Sequence, residues 1–241
     1  MSAQIKVVPD ASHVAQAAAE QILSAAQRSI RGKGVFAIAL AGGHTPEALY
    51  VLLSQSSYRD QIDWTKVEIF FGDERCVPPD SPDSNYGMAR RSLLSKVPIP
   101  GDNVYRMRGE IDPNAAAKEY GLMLKEKFGD GGLDVVLLGM GDDGHTASLF
   151  PNTEALQQRE HRCVANFVPR LKTWRLTLTA PFINKSNQIM VLIAGQEKAA
   201  RVKEVLEGPR EPERLPIQLI QPESGQMLWI LDTGAAGMNE Q

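Results

Sequence analysis

Short, nearly continuous apolar segments alternate with longer helical patterns along most of this 241-residue chain. Strands that are covered on both faces have such a composition, and their alternation with helices is typical of a mostly parallel sheet. The sequence therefore predicts an α/β fold whose mostly parallel, doubly wound (Rossmann-like) sheet carries helices on both faces. The predicted strands are Val35–Ala41, Val67–Phe71, Asp134–Leu138, Gln188–Ala194 and Met227–Leu231.

Two longer segments have the periodicity of amphipathic helices. Ser12–Ile30 places its apolar residues on one stripe, and Gly32 and Gly34 supply a stop signal after it. Pro113–Phe128 begins with a proline, which fits the first helical turn, and ends before Gly129. Both segments are therefore predicted to be helices that cover the sheet.

Two segments in the second half of the chain alternate apolar and polar residues more than the other strand candidates do. They are Cys163–Val168 and Arg175–Thr179. Because such alternation is typical of antiparallel strands with one exposed face, we expect a hairpin or an antiparallel edge there. No internal repeat is evident, and the proline-rich stretches are too short to be interdomain linkers. The sequence is interpreted as a single domain over residues 1–241.

Composition excludes several classes of protein. The chain is 43% hydrophobic and 23% charged, which is too apolar for a disordered chain. A formal net charge of −3 argues against a nucleic-acid binder, which needs excess Lys and Arg to neutralise phosphates. Two cysteines are too few for a disulfide framework, and no apolar run has the length of a signal peptide core or a bilayer span. We therefore expect a cytoplasmic protein with no membrane partner.

The chemistry is expected just beyond the strands, because open parallel sheets bind ligands at the carboxyl ends of their strands. The first strand of the predicted set leads into Gly42-Gly43-His44-Thr45-Pro46 and then into a helical pattern. Paired glycines let backbone amides approach an anion, Thr45 adds a hydroxyl group, and a helix N-terminus adds partial positive charge. The segment is consistent with a phosphate-binding loop and equally with a plain tight turn.

The second strand ends in Gly72-Asp73-Glu74-Arg75. Three charged residues directly after a buried strand are costly unless they pair with one another or face a solvent-filled cleft. Arg75 is suited to bidentate phosphate recognition, and Asp73 and Glu74 are suited to holding that arginine or a sugar hydroxyl. A surface salt-bridge cluster is the alternative interpretation.

The third strand leads into a glycine-rich segment that contains Asp142, Asp143 and His145. Its glycines do not form a dinucleotide-binding fingerprint, because Pro151 interrupts any following helix. A histidine can act as a general base near neutral pH, and a neighbouring aspartate can set its tautomer. The alternative is a hydrogen-bonded structural histidine, but its place at a strand end favours a functional role for His145.

The fourth strand is followed by Gly195-Gln196-Glu197-Lys198 and a further helical pattern. A lysine in the first turn of a helix is disfavoured by the helix dipole unless an anion lies between them, so Lys198 is a candidate phosphate ligand. A solvated surface lysine is the alternative. No set of His, Cys and carboxylate residues has metal-binding spacing, so no metal is expected. Together the strand ends predict an enzyme that acts on a sugar phosphate, with its reaction unspecified.

Three of these segments resemble the signature segments of 6-phosphogluconolactonases. They are AGGHTP, FFGDERCVPPDSPDSNY and LLGMGDDGHTASLFP, and the later RLTLTAPFIN, IAGQEKA and WILD follow in the family order. The resemblance spans roughly residues 35 to 232. One departure is His44, at a position where the family often has serine. The resemblance implies the three-layer architecture shared with glucosamine-6-phosphate deaminases (NagB-like).

The resemblance also implies an activity, the hydrolysis of 6-phospho-D-glucono-1,5-lactone to 6-phosphogluconate in the oxidative pentose phosphate pathway. It implies that His145 is the base that activates water and that Asp143 orients it. It implies substrate- and phosphate-binding roles for a further set of residues, namely Gly42, Gly43, Thr45, Asp73, Arg75, Lys198 and, as a binding or structural residue, Arg175. No cofactor is implied, since hydrolysis of a strained lactone needs only a positioned water, a base and oxyanion stabilisation.

Two alternatives remain at this point. Amino-sugar-phosphate deaminases of the same fold typically have a glutamate before the proline, where this chain has Phe150, and a tyrosine in place of Arg75. A sugar-phosphate-sensing domain would need a DNA-binding segment, and the residues before the first predicted strand offer one amphipathic helix only. Both comparisons favour a lactonase. The expected partner is a sugar-phosphate lactone, in a monomer or small homo-oligomer.

Overall fold

The computed structural model describes residues 4–238, which form nine strands and seven α-helices in that range. The strands are β1 Gln4–Val8, β2 Phe36–Leu40, β3 Val67–Phe71, β4 Asp73–Arg75, β5 Val135–Leu138, β6 Cys163–Val168, β7 Thr173–Leu178, β8 Gln188–Ile193 and β9 Gln226–Asp232. The helices are α1 Ala11–Lys33, α2 His44–Leu53, α3 Ser56–Arg59, α4 Asn85–Ala89, α5 Pro113–Phe128, α6 Ala180–Asn184 and α7 Ala199–Glu207.

Six strands form one parallel sheet in the order β1-β9-β8-β5-β2-β3. Every residue of β2, β5 and β8 is buried, as their continuous apolar composition predicts for strands covered on both faces. The predicted α/β fold with a mostly parallel sheet is confirmed. Strand β1 was not predicted; it is a sheet-edge strand whose first three residues are exposed.

Helix ends follow the local sequence signals. The carboxylate of Asp10 accepts hydrogen bonds from two backbone amides at the start of α1, and Gly34 ends this helix in a left-handed conformation at φ +80°. The carboxylate of Asp112 accepts the backbone amide of Ala115 at the start of α5, and Pro113 begins this helix. None of the described helices is long and apolar enough to span a bilayer.

The alternating segments pair with each other as predicted, but they belong to a second sheet. Strands β6 and β7 form an antiparallel hairpin, and β4 pairs with the other side of β7, so the order is β4-β7-β6. Helix α5 packs against β6 and β7. The sequence predicts that Asp73–Arg75 lie in a polar segment after a strand, whereas these residues themselves form β4.

The topology brings two of the predicted site segments together at the carboxyl edge of the parallel sheet. Strand β2 lies between β3 and β5, so the connections that leave β2 and β5 diverge at that point. Such a divergence opens a crevice in which α/β proteins bind ligands. The glycine loop (residues 42–45, after β2) and the histidine loop (residues 139–150, after β5) flank this crevice.

Candidate active site

A cavity of about 570 Å³ lies at this edge of the parallel sheet and is bounded on one side by the antiparallel sheet. The predicted site residues that line it are Gly42, Gly43, Thr45, Asp73, Arg75, His145, Arg175 and Lys198. Asp143 is the one predicted residue outside the lining, and it contacts the cavity through His145. Within residues 4–238, no group of three or more His, Cys, Asp and Glu side chains is arranged to hold a metal ion.

His145 and Asp143 form a hydrogen-bonded pair. Asp143 Oδ1 lies 2.5 Å from Nδ1 of His145 and also accepts the backbone amide of His145 at 3.2 Å. Burial raises the pKa of Asp143, but the hydrogen bond and charge of His145 lower it more, with a contribution from Arg170, so that it falls to about 2. An ionised Asp143 requires Nδ1 to carry the proton. Nε2 is therefore left as the proton acceptor.

The imidazole of His145 is confined by its neighbours. The ring stacks on Phe150 with centroids 4.1 Å apart and an interplanar angle of 21°. The backbone of Gly141 lies against the imidazole of His145, so closely that a Cβ at position 141 would overlap Cε1 and Nδ1 of the ring. Gly141 also donates its backbone N–H to the carbonyl of His145 at 2.9 Å. The loop therefore has room for this ring only because residue 141 has no side chain.

We expect Gly141→Ala to lower kcat about 100-fold, because the added methyl group displaces the imidazole and a displacement of about 1 Å from the reactive geometry has an effect of this size. KM should change little, since the cationic part of the cavity is untouched. Steady-state kinetics with the lactone that the family resemblance implies as substrate measure both values. Gly101→Ala is the matched control, because a Cβ there meets nothing within 4 Å. Wild-type kcat in Gly141→Ala would contradict the expectation.

The glycine loop is held rigidly at the end of β2. The fully buried phenol of Tyr50 donates to the carbonyl of Ala41 at 2.8 Å and accepts from its backbone amide at 2.9 Å. A Cβ on Gly42 would overlap the side-chain amide of Asn85, and Gly43 has φ +101°. Helix α2 then begins at His44, with its unpaired amides at the cavity. This arrangement suits a bound anion.

The two acidic residues of β4 form hydrogen bonds with neighbouring segments. Asp73 accepts hydrogen bonds from Ser148 Oγ at 2.7 Å and from Asn85 Nδ2 at 3.1 Å, so it joins the histidine loop to α4. Glu74 is buried, which raises its pKa, and it accepts the backbone amides of Arg75, Asn85 and Tyr86. Glu74 therefore fixes the start of α4 and does not hold the guanidinium of Arg75.

Two arginines face each other across the antiparallel sheet. Arg75 on β4 is directly opposite Arg175 on β7, and both line the cavity. Like charges in directly opposed positions repel each other. The pKa of Arg175 is lowered by burial and by the charge of Arg75. Arg75 donates to the carbonyl of Asp83 at 2.5 Å, but neither guanidinium forms an ion pair within the described part of the chain. An anion between them would remove the repulsion.

Lys198 lines the same cavity from the turn between β8 and α7, but its ammonium group is already in an ion pair with Asp142. This pair lowers the pKa of Asp142. Gly195, at φ +109°, makes the turn possible, and its amide donates to the buried carboxylate of Asp232. A substrate anion that binds to Lys198 would therefore share its ammonium group with the carboxylate of Asp142.

Two residues that line the cavity, Arg170 and Asn85, are not predicted from the sequence. Arg170 reaches the cavity from the turn between β6 and β7, and Asn85 packs on the glycine loop from α4. Their positions depend on pairings between distant segments, for which the local sequence holds no signal. Tyr50 could have been noticed as a polar tip on the buried stripe of α2.

Sequence comparison with known proteins gives consistent results. A family model described as glucosamine-6-phosphate isomerases/6-phosphogluconolactonase matches residues 9–229. The 6-phosphogluconolactonase of Nostoc sp. is 37% identical, with 98% of this chain and 98% of that protein covered.

Solved structures share the fold. The 6-phosphogluconolactonase of Trypanosoma brucei has a TM-score of 0.85 at 30% identity, over 98% of each chain. A protein named devB has a TM-score of 0.91 at 34% identity, over 99% of this chain and all of that one. A monomeric glucosamine-6-phosphate deaminase has a TM-score of 0.83 at 22% identity, a likeness that concerns the fold alone. The chain therefore belongs to the glucosamine-6-phosphate isomerase/6-phosphogluconolactonase family.

Proposed function

We propose that this chain hydrolyses 6-phospho-D-glucono-1,5-lactone to 6-phosphogluconate, the second step of the oxidative pentose phosphate pathway, as one domain and without a cofactor. The observation that carries the proposal is the pairing of His145 with the ionised Asp143 at the wall of a cavity that also holds two arginines without carboxylate partners in the described chain. Relatives at 36–37% identity named 6-phosphogluconolactonase support the choice of substrate.

In the proposed mechanism, Nε2 of His145 removes a proton from a water molecule as the water oxygen attacks the lactone carbonyl. The tetrahedral intermediate then collapses and the ester C–O bond of the ring breaks. The ring oxygen leaves and takes up the proton held by the imidazolium, which restores the neutral base. Asp143 keeps the proton on Nδ1 throughout and stabilises the transient imidazolium.

The phosphate end of the substrate is proposed to bind at the glycine loop and the two arginines. The amides at the start of α2, the hydroxyl group of Thr45 and the guanidinium groups of Arg75 and Arg175 surround one part of the cavity. Lys198 is proposed as an additional ligand at the rim, where it already neutralises Asp142. Asp73 supports this region through its hydrogen bonds to Ser148 and to the side chain of Asn85.

Deamination of an amino-sugar phosphate is the nearest alternative, because the fold is shared with a deaminase. Phe150 argues against it. This buried ring stacks on the imidazole of His145, at the position where the family resemblance implies a glutamate in deaminases.

The proposal is tested by hydrolysis of freshly generated 6-phosphogluconolactone, followed by proton release and corrected for spontaneous ring opening. Glucosamine 6-phosphate is the matched substrate for the alternative, with ammonia release as the readout. We expect acceleration of lactone opening and no ammonia. Absence of acceleration would refute the lactonase proposal, and ammonia release would support the deaminase.

A further inference from the structure

The turn between β6 and β7 reaches the histidine pair from the antiparallel sheet. Pro169–Leu171 form one tight helical turn, which Lys172 ends in a left-handed conformation at φ +49°. Arg170 in this turn extends towards the cavity, and its Nη2 lies 3.0 Å from Oδ2 of Asp143. The two segments are 27 residues apart in the chain, so this contact depends on how the two sheets meet.

Asp143 needs a partner on this side. Its Oδ1 is saturated by His145, whereas Oδ2 is buried and accepts no hydrogen bond of good geometry within residues 4–238. A buried carboxylate oxygen without compensation is unfavourable, so the carboxylate would tend to rotate away from the imidazole or towards solvent. Arg170 is the cation that opposes this, and its charge contributes to the low pKa of Asp143.

Arg170 also contacts the second support of the imidazole. Its guanidinium carbon lies 5.4 Å from the ring centroid of Phe150, the ring on which His145 stacks. A cation at this distance from an aromatic ring is attracted to it. One side chain therefore touches both groups that confine His145, the carboxylate on one side and the aromatic ring on the other.

We propose that Arg170 is a positioning residue that locks the Asp143–His145 pair and the ring of Phe150 into the geometry required for water activation. The proposal rests on the proposed role of His145 as general base. Arg170 acts through Asp143 and Phe150 and takes no proton itself. Through Arg170, the turn between β6 and β7 helps to fix the orientation of His145.

The direction of the pH effect follows from the charges near His145. Asp142 and Asp143 lie on its own loop, Arg170 comes from the hairpin, and Glu197 and Lys198 come from the turn after β8. Arg75, Arg175 and Asp73 face the cavity from β4 and β7, and His44 faces it from α2. A positive charge disfavours protonation of the imidazole. Loss of Arg170 alone therefore makes protonation easier, so the base becomes available only at higher pH.

The test uses Arg170→Met, which keeps an unbranched stem but removes the guanidinium from Asp143 and from Phe150, and Arg170→Lys, which keeps the charge. Arg170→Met is expected to lower kcat about 10-fold with KM within about 2-fold, since binding groups are untouched. The acidic limb of the kcat profile should move up by about half a pH unit, a modest shift because this ion pair is partly exposed. Arg170→Lys should retain most of the wild-type kcat and most of the wild-type position of the acidic limb.

Lys172→Asn is the matched control, because it removes a charge from the same turn and asparagine tolerates the left-handed conformation. Wild-type kcat and an unmoved limb in Arg170→Met would overturn the proposal, as would an equal shift in Lys172→Asn. NMR titration of the His145 ring in the free protein gives a readout independent of activity. An upward move of its midpoint in Arg170→Met supports the contact even if the wild-type protein opens no lactone, and an unchanged midpoint overturns it.

Discussion

Replacing His145 with alanine is expected to lower kcat for lactone hydrolysis about 1000-fold, with little change in KM. General base catalysis by a positioned side chain contributes a factor of this order, and His145 is the group whose Nε2 is free to accept a proton at the cavity wall. Binding should persist because the glycine loop and the arginines are unchanged. Proton release after subtraction of spontaneous hydrolysis gives kcat, and calorimetric titration with 6-phosphogluconate gives the binding constant.

His161→Ala is the matched control, because His161 is exposed and lies outside the cavity. It should retain wild-type kinetics. Equal rates for the wild type and His145→Ala would reject the role of His145 as base. Asp143→Asn adds a second comparison, since an amide cannot hold Nδ1 in the donor tautomer as a carboxylate does, and kcat should fall again without loss of binding.

The parallel sheet could be predicted from the sequence because its central strands are buried on both faces and are therefore nearly continuous apolar segments. The three strands β2, β5 and β8 are buried throughout, and all of their residues except Gln188 are apolar. Strand β1 lies at the sheet edge and is largely exposed, so burial imposes no such composition on it. Strand β4 consists of three charged residues, and pairing with the distant β7 makes it a strand.

The site could be predicted as far as it depends on strand ends. Gly42, Gly43, Asp73, Arg75, His145 and Lys198 follow or end strands of the predicted set, and parallel strands bring their carboxyl ends to one edge. The ion pairs within the site could not be predicted from the positions of the strand ends. Lys198 pairs with Asp142 and Arg170 lies against Asp143, and both contacts join segments that only the folded sheets bring together.

Replacing Arg75 or Arg175 is expected to weaken substrate binding without slowing the chemical step. Arg175→Ala should raise KM about 10- to 100-fold with kcat near that of the wild type, because a hydrogen bond to a charged group is worth about 1.5–3 kcal/mol. Arg75→Ala should have a similar effect, with some added disturbance because Arg75 also holds the carbonyl of Asp83. Lys198→Ala should raise KM less, since Asp142 already neutralises part of its charge.

Arg175→Ala should leave the free protein as stable as the wild type or slightly more stable, because it removes one of two opposed guanidinium groups. Thermal unfolding separates this effect from binding: inorganic phosphate should raise the Tm of the wild type and should raise that of Arg175→Ala much less. Arg108→Ala, which removes an exposed arginine paired with Glu119, is the control and should respond to phosphate as the wild type does. Unchanged KM in both arginine variants would reject the phosphate site. If Arg175→Ala were less stable than the wild type without phosphate, repulsion between Arg75 and Arg175 would not destabilise the free protein. The structural reason for expecting an anion between the two arginines would then be lost.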